Sequence, residues 1–234
     1  GKNVVKQLLQ DGKPIHEVLI QEGIRDTALE GEIKKRRIPV KVLGRKKMDQ
    51  LLNGNHQGIA ACIDDYKTWE LEELLESVPQ GKQPLLVMLD GLEDPHNLGA
   101  ILRTCDCIRA DGVIIGKHRN VRLTPTVAKV STGAIDTVKV SVVTNLVQAI
   151  KYLKKQGYWV VGTDFENSRD YREGQYDVPL VLVIGSEGFG ISSLVKKNCD
   201  YCVRLPMEGS VSSLNASVAA GILLYQIHAQ RHPL

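Results

Sequence analysis

Asn97 and Arg103 share one short stretch, DPHNLGAILRT, that follows an uninterrupted apolar run from Leu85 to Leu89. The run reads as a buried strand. Pro95 breaks it off, and Asn97 has the side chain of a helix N-cap. In the helix that follows, Leu98, Ile101, Leu102, Cys105 and Ile108 fall on one stripe, with Gly99, Arg103 and Asp106 on the other side. Arg103 thus stands off the core stripe near a strand's carboxyl end, where open α/β sheets gather their ligand sites. Such a guanidinium is either a solvated charge on an amphipathic helix or part of a ligand site. Two later stretches bear on that choice. In LVLVIGSEGFG, Gly185, Gly188 and Gly190 close a strongly apolar strand with Glu187 among them. That cluster is either a tight turn or a place where backbone amides approach a ligand closely. In LPMEGSVSSLNASVA, a Gly/Ser loop runs from a strand end at Pro206 into a helix opening near Asn215.

Strands and helices alternate around these groups. PLLVMLDGL, DGVIIG, TVKVSVV, YWVVGTDF, LVLVIGSEG and YCVRLPM have strand patterns. Helical patterns lie between them over Leu98–Arg109, Pro125–Ser131, Leu146–Gln156 and Ile191–Asn198, with a last helix from Asn215. The order predicts an α/β domain with a mostly parallel sheet and helices on both faces. The first sixty or so residues read as a smaller α/β unit. NVVKQLLQDGKP, DTALEGEIKKRR and KKMDQLLNG are helical; HEVLIQEG, IPVKVLG and GIAACI are strands. The acidic, then Pro/Gly-bearing stretch between them predicts a linker over 64–83, with a short helix near Leu71–Ser77. The expected division is therefore 1–63, linker 64–83, and 84–234.

Several chemistries are excluded by what these turns lack. The turn after Leu89 is not a G-x-G-x-x-G dinucleotide loop, and neither a Walker A sequence nor a G-x-S-x-G elbow occurs. The five cysteines form no disulfide framework, and the lone Cys199-x-x-Cys202 has no second pair to complete a metal site, so no metal is expected. The net charge of +3 is a weak argument for a polyanionic partner. Placement says more: KKRRIPVKVLGRKK, residues 34–47, holds eight basic residues and no acid, either a solvated face or a phosphate-contacting one. No apolar run is long enough to span a bilayer and no signal-peptide pattern occurs, so no membrane partner and a reducing, cytoplasmic setting are expected. The chain opens at Gly1 rather than at methionine, and a few residues are expected ahead of it.

Together DPHNLGAILRT, LVLVIGSEGFGIS and LPMEGSVSSLNASVA resemble, in order and spacing, the three motifs of the SpoU branch of the SPOUT RNA methyltransferases. The resemblance spans Pro84 to about Arg231, and is greatest to the group that methylates a guanosine 2'-oxygen of bacterial 23S rRNA. HQGIAA, residues 56–61, resembles part of that group's N-terminal RNA-binding module of the L30e/L7Ae type. The resemblance implies a deep trefoil knot in the second half, which no periodicity could indicate because knots are nearly absent from folds in general. It implies S-adenosylmethionine as cofactor, held at Gly185, Leu205 and Leu214, and catalytic positions at Asn97, Arg103, Glu187, Ser213 and Asn215. It also implies a homodimer through the knotted half, and RNA as substrate.

A ribose 2'-hydroxyl is a poor nucleophile that must lose its proton as it attacks a sulfonium methyl, so alignment and proton handling are the contributions open to the protein. The resemblance gives proton abstraction to Arg103. A guanidinium is almost never deprotonated, and a phosphate clamp is the other role its fork suits. His96, beside Asn97, is the less favoured candidate base. Asn97, Ser213 and Asn215 would fix the geometry, with Glu187 orienting Asn97 or Arg103. From Ala216 to Tyr225 the last helix is small or apolar on nearly every side, which predicts burial on several faces and, beyond its own core, a two-fold partner. The other readings in view are the same chemistry on tRNA or another rRNA nucleotide, and a non-catalytic RNA-binding protein that kept the fold.

Overall fold

The computed structural model describes residues 1–52, 56–211 and 213–233. The chain divides into two compact units, Gly1–Tyr66 and Lys67–Leu234. In the first, α1 (Lys2–Gln10), β1 (Glu17–Gln21), α2 (Thr27–Lys35), β2 (Val40–Leu43), α3 (Arg45–Leu51) and β3 (Ile59–Cys62) follow in order. The strands form a three-stranded sheet, β2-β1-β3, with β2 parallel and β3 antiparallel to β1. Val5, Leu9, Leu29 and Ile33 of α1 and α2 pack with Val18, Ile20 and Ile59, while Met48 of α3 packs with Leu19 and Leu43. Alternation along β1 thus supplies two cores. Asp26 caps α2 by accepting from the Leu29 amide at 3.1 Å, and Lys2 and Lys6 pair with its carboxylate at 2.7 and 3.0 Å. The eight basic side chains of 34–47 are all exposed. The end of the expected helix KKMDQLLNG, Asn53 and Gly54, lies outside the described residues.

The second unit begins earlier than the expected linker allowed. Trp69 bonds through its amide to the Val140 carbonyl at 2.8 Å, and α4 (Leu71–Glu76) buries Leu71 and Leu74 in the main core. Lys139 reaches Ser77 Oγ at 2.7 Å and Lys82 pairs with Asp111 at 2.7 Å. Most of 64–83 is therefore folded into this unit. Its polar composition reads as a connector, but two leucines three residues apart suffice to anchor a short helix.

The remaining strands are β4 (Leu85–Asp90), β5 (Gly112–Gly116), β6 (Val140–Val143), β7 (Trp159–Thr163), β8 (Arg169–Asp170), β9 (Leu180–Gly185) and β10 (Tyr201–Arg204). They form one sheet in the order β6-β5-β4-β9-β7-β10-β8, every pair parallel. Parallel strands covered on both faces read as continuous apolar runs, and β4, β5 and β9 are buried almost throughout. The two-residue β8 has no such signal and was not expected. The strand expected over TVKVSVV starts only at Val140, because α7 (Ala134–Thr137) closes a helical turn; α8 (Leu146–Lys155) follows β6, and the helix expected over Ile191–Asn198 shortens to α9 (Ser193–Lys196).

Helix α5 (Pro95–Cys107) corrects two expectations. Asp94, not Asn97, caps it, accepting from the His96 amide at 2.8 Å, and Pro95 occupies the first turn, where its missing N–H costs nothing. Gly99 does not face solvent: a Cβ there would stand 2.6 Å from Val130 Cβ of α6 (Pro125–Ser131), so the glycine permits close helix packing. The final helix α10 (Ala216–Arg231) packs on α5 and β9. Near its end Arg231 donates to the Tyr176, Gln83 and Val178 carbonyls at 2.9, 2.8 and 2.7 Å. Burial of α10 is less complete than its sequence suggests. Ala220, Leu223, Leu224 and Ile227 are buried, whereas Val218, Ile222 and Tyr225 form an exposed stripe at i, i+4 and i+7.

Candidate active site

All seven strands run the same way, so their carboxyl ends and the loops beyond them share one edge. The sheet register sets the spacing there. Asp90, the last residue of β4, pairs with Gly185, the last of β9, so the loop into α5 and the turn 186–190 leave the sheet side by side. Asp90 fixes that arrangement by accepting from the Ser192 amide at 2.7 Å. The turn closes on itself: Ser186 and Gly190 exchange backbone hydrogen bonds of 3.1 and 2.9 Å. It closes so tightly that a Cβ on Gly185 would lie 2.0 Å from the Gly190 carbonyl carbon. Only glycine fits, and the obstacle is backbone that no rotamer change can remove.

Because Asp94 caps α5, the side chain of Asn97 is free for another use. It is 5% exposed. Its Nδ2 donates to Glu187 Oε1, and its Oδ1 accepts from Asn215 Nδ2 at 2.9 Å. Asn215 in turn caps α10, its Oδ1 accepting from the Ser217 and Val218 amides at 3.0 and 3.3 Å and from Ser217 Oγ at 2.6 Å. A single buried amide thereby joins a residue of each of the three quoted stretches, 90 and 118 positions away in sequence.

Beside this network lies a cavity of 390 Å³, within the range of small-molecule sites. Its wall includes Gly185, Leu205 and Leu214, the three expected cofactor contacts, with Glu187 and Ser213 from the expected catalytic set. Asn97, Arg103 and Asn215 do not line it. Arg103 projects from α5 into solvent with no hydrogen-bond or ion-pair partner among the described residues. Ser212, in the third stretch, lies outside the described residues. Ile184, Val203, Ala216, Ala219 and Leu223 make much of the wall apolar, beside the backbone of 185–190. That combination fits an adenosine bearing a short aliphatic chain.

Thr163, Asp164 and Phe165 also line the cavity and were missed in the sequence. The available signal was their position: TDF follows an apolar strand, at the end where parallel sheets place ligands. Asp164 pairs with Lys196 at 2.5 Å and accepts from the Glu166 amide at 2.9 Å, so its charge is already matched. Asp164 likewise raises the Lys196 ammonium above its ordinary range, mainly through that hydrogen bond. Behind β7, a Cβ on Gly162 would stand 3.0 Å from both the Cys199 and Cys202 sulfurs. The neighbouring Cys199 thiol lowers the Cys202 thiol below its ordinary range. Among the described residues no group of three or more His, Cys, Asp or Glu side chains gathers to hold a metal, and no helix is long and apolar enough to cross a membrane.

Comparison with known proteins agrees with this geometry. The SpoU rRNA Methylase family matches residues 84–225, and the RNA 2'-O ribose methyltransferase substrate binding family matches residues 1–69. A Staphylococcus haemolyticus protein assigned to the TrmH family of tRNA/rRNA methyltransferases is 47% identical, over 99% of this chain and 95% of its own length. YacO of Bacillus subtilis, assigned to the same family, is 44% identical over 100% and 96%. Among solved structures, the SpoU methyltransferase AviRb from Streptomyces viridochromogenes, in complex with AdoMet, superposes with a TM-score of 0.64 at 25% identity, covering 99% of this chain and 88% of that one. The TrmH/SpoU tRNA modifying enzyme of A. aeolicus gives 0.60 at 32% identity over 69% and 82%. With a family match over most of its length and relatives nearly half identical from end to end, the chain belongs to the SpoU rRNA methylase family of RNA methyltransferases.

Proposed function

We propose that this protein transfers the methyl group of S-adenosylmethionine to a ribose 2'-hydroxyl of RNA, on a guanosine of bacterial 23S rRNA. The observation that carries the reading is the Asn97–Glu187–Asn215 network at the edge of a half-apolar cavity at the strand ends. Gly185, Leu205 and Leu214 would hold the cofactor, whose bound form supplies an electrophilic methyl. The ribose 2'-oxygen would accept that methyl group, the cofactor leaving as the neutral thioether and the hydroxyl proton passing to solvent water.

The chain's own groups divide the remaining work. Exposed, and without a partner among the described residues, Arg103 clamps the phosphate beside the target ribose and turns the hydroxyl toward the cavity. Glu187, held by Asn97, fixes the turn that folds back onto Gly185, and Asn215 ties the start of α10 to the same point. Ser213, at the cavity wall, contacts the ribose edge. In the first unit, the exposed cations of 34–47 hold the folded RNA by its phosphates. The exposed stripe Val218, Ile222 and Tyr225 is where a second copy docks, making a homodimer through the second unit. The path of β9 between the earlier strands β4 and β7, with α10 then packing on α5, supports the knotted topology. The enzyme's place of work is the cytoplasm.

The likeness to a tRNA modifying enzyme favours tRNA as the second reading. One experiment separates the two: labelled S-adenosylmethionine is offered with unmodified 23S rRNA or unmodified tRNA transcripts, and the methylated nucleotide is mapped. Label in a 23S guanosine 2'-oxygen is expected. Label only in tRNA overturns the substrate, and no label in any RNA overturns the activity. Light scattering after size exclusion tests the dimer, which a mass of one chain at micromolar concentration refutes.

A further inference from the structure

We propose that Phe165 and Phe189 form an aromatic rim that stacks a nucleobase of the RNA while its ribose faces the cavity. The proposal rests on the methyltransferase reading and adds a base subsite to it. The chain has two phenylalanines, and neither serves a core. Phe189 is 96% exposed and Phe165 51%, yet both line the same cavity. A single exposed aromatic asks for no explanation. Convergence of the whole complement on one cavity mouth does, since phenylalanine is ordinarily among the most buried side chains.

The two rings arrive from different loops. Phe189 sits in the turn after β9 and Phe165 in the loop after β7, and these strands are neighbours, with Gly162 opposite Val183. Both loops are anchored. The first is pinned by the Ser186–Gly190 backbone pair and by Glu187 on Asn97. On the second, Asp164 is held by Lys196, and Ser168 Oγ donates to the Phe165 carbonyl at 2.9 Å. The rings are therefore presented on fixed backbone, which lowers the ordering cost of stacking.

Phenylalanine has no donor or acceptor, so it cannot read a base edge; what it offers is a flat face, and every nucleobase has a matching one. The cofactor is the poorer occupant. Ile184, Leu205, Leu214 and Leu223 already line the cavity with buried or half-buried aliphatic side chains, while the two rings are exposed to the water from which RNA arrives. Arg204, exposed at the same cavity, donates to the Ser168 carbonyl through one N–H group and keeps others for the strand's phosphate.

The probe is a short single-stranded RNA with a central 2-aminopurine, whose fluorescence is quenched by stacking. Wild type is expected to bind and quench it. Phe189→Ala or Phe165→Ala should weaken binding roughly tenfold and remove the quenching; Phe189→Trp should restore both, and Phe189→Leu neither. Affinity for S-adenosylmethionine, measured by calorimetry, should not change in any variant. Wild-type RNA that is not quenched, alanine variants that quench like wild type, or leucine acting as well as tryptophan each overturn the rim. So does cofactor affinity that falls in step with RNA affinity, because the rings would then be cofactor contacts. The methyltransferase reading fails separately: a wild type that binds no S-adenosylmethionine and transfers no methyl group sinks it, whatever the quenching shows.

Discussion

Replacing Asn97 with alanine removes a side chain that joins all three site segments, and its cost can be worked from the contacts. The bond to Glu187 is charge-assisted, a class worth about 1.5–3 kcal/mol, and the bond from Asn215 is neutral, worth about 0.5–1.5 kcal/mol. Glu187 and Asn215 are both exposed and recover part of this by turning to water, whereas the space left by the buried amide is not refilled. The net loss should be about 2–3 kcal/mol. For a unit of this size each kcal/mol lowers the unfolding midpoint by about 2–4 °C, so a fall of roughly 5–10 °C is expected. Methyl transfer should fall at least tenfold, because the turn that folds back onto Gly185 and the start of α10 lose their common tie. Asn97→Asp should be at least as damaging: it keeps an acceptor for Asn215 but sets a carboxylate against that of Glu187. Thermal unfolding and initial rates of methyl transfer on the same preparations provide the assay. A double-mutant cycle with Asn215→Ala isolates the shared term, expected at about 0.5–1.5 kcal/mol. An Asn97→Ala variant within 1 °C and twofold of wild type, or an Asn97→Asp variant better than alanine, would refute the reasoning.

Arg103→Ala should abolish methyl transfer while S-adenosylmethionine binding by calorimetry stays near wild type, since Arg103 does not line the cavity; near-normal turnover would remove the clamp from the mechanism. Removal of residues 1–66 should leave a folded, cofactor-binding unit with weaker and less salt-dependent RNA binding, whereas removal of 1–82 should unfold or strongly destabilise it, because Leu71 and Leu74 belong to its core. Equal midpoints for the two truncations would show that α4 contributes nothing. Asp26→Asn should destabilise the first unit at neutral pH. Hydrogen bonds from Lys2, then Lys6 and the Leu29 amide, hold the Asp26 carboxyl well below the usual carboxylate range. The stability this gives is present above the unfolded value of about 3.9 and is lost as pH falls from there toward the folded value. Unfolding midpoints of wild type and variant should therefore differ at pH 7 and converge in strong acid; a constant gap would mean the charge is irrelevant.

Much of the second unit was legible because a parallel sheet covered on both faces writes itself as unbroken apolar runs, and β4, β5 and β9 are of that kind. Elements without such a signature were not. β8 is two residues long; the helix expected near Leu71–Ser77 is present as α4, but its acidic, Pro/Gly-flanked stretch read as linker and hid that Leu71 and Leu74 belong to the core. The α5 cap was misplaced because Asp94 and Asn97 are both good capping residues, and Pro95 between them suits the first helical turn as well as it suits a break. That error bears on function. Read as a cap, Asn97 spends its side chain on backbone amides and has nothing left for Glu187 or Asn215.

The site shows where local reading stops. Periodicity and capping rules act over a few residues, but the Asn97 contacts span 90 and 118 positions and depend on β9 being inserted between β4 and β7. Only resemblance to known motifs could name both partners beforehand. The fold then supplies the physical reason for them. Asp90 and Gly185 are paired strand ends, so the residues just beyond each must meet, and a buried amide that donates to one neighbour and accepts from the other satisfies both of its polar ends. The cavity follows from the same pairing. A turn that folds back onto Gly185 leaves no room for a side chain there, so its backbone and the apolar side chains of β9, β10 and α10 form the wall. Thr163, Asp164 and Phe165 complete it because β7 lies beside β9, a neighbour relation that no window along the sequence contains.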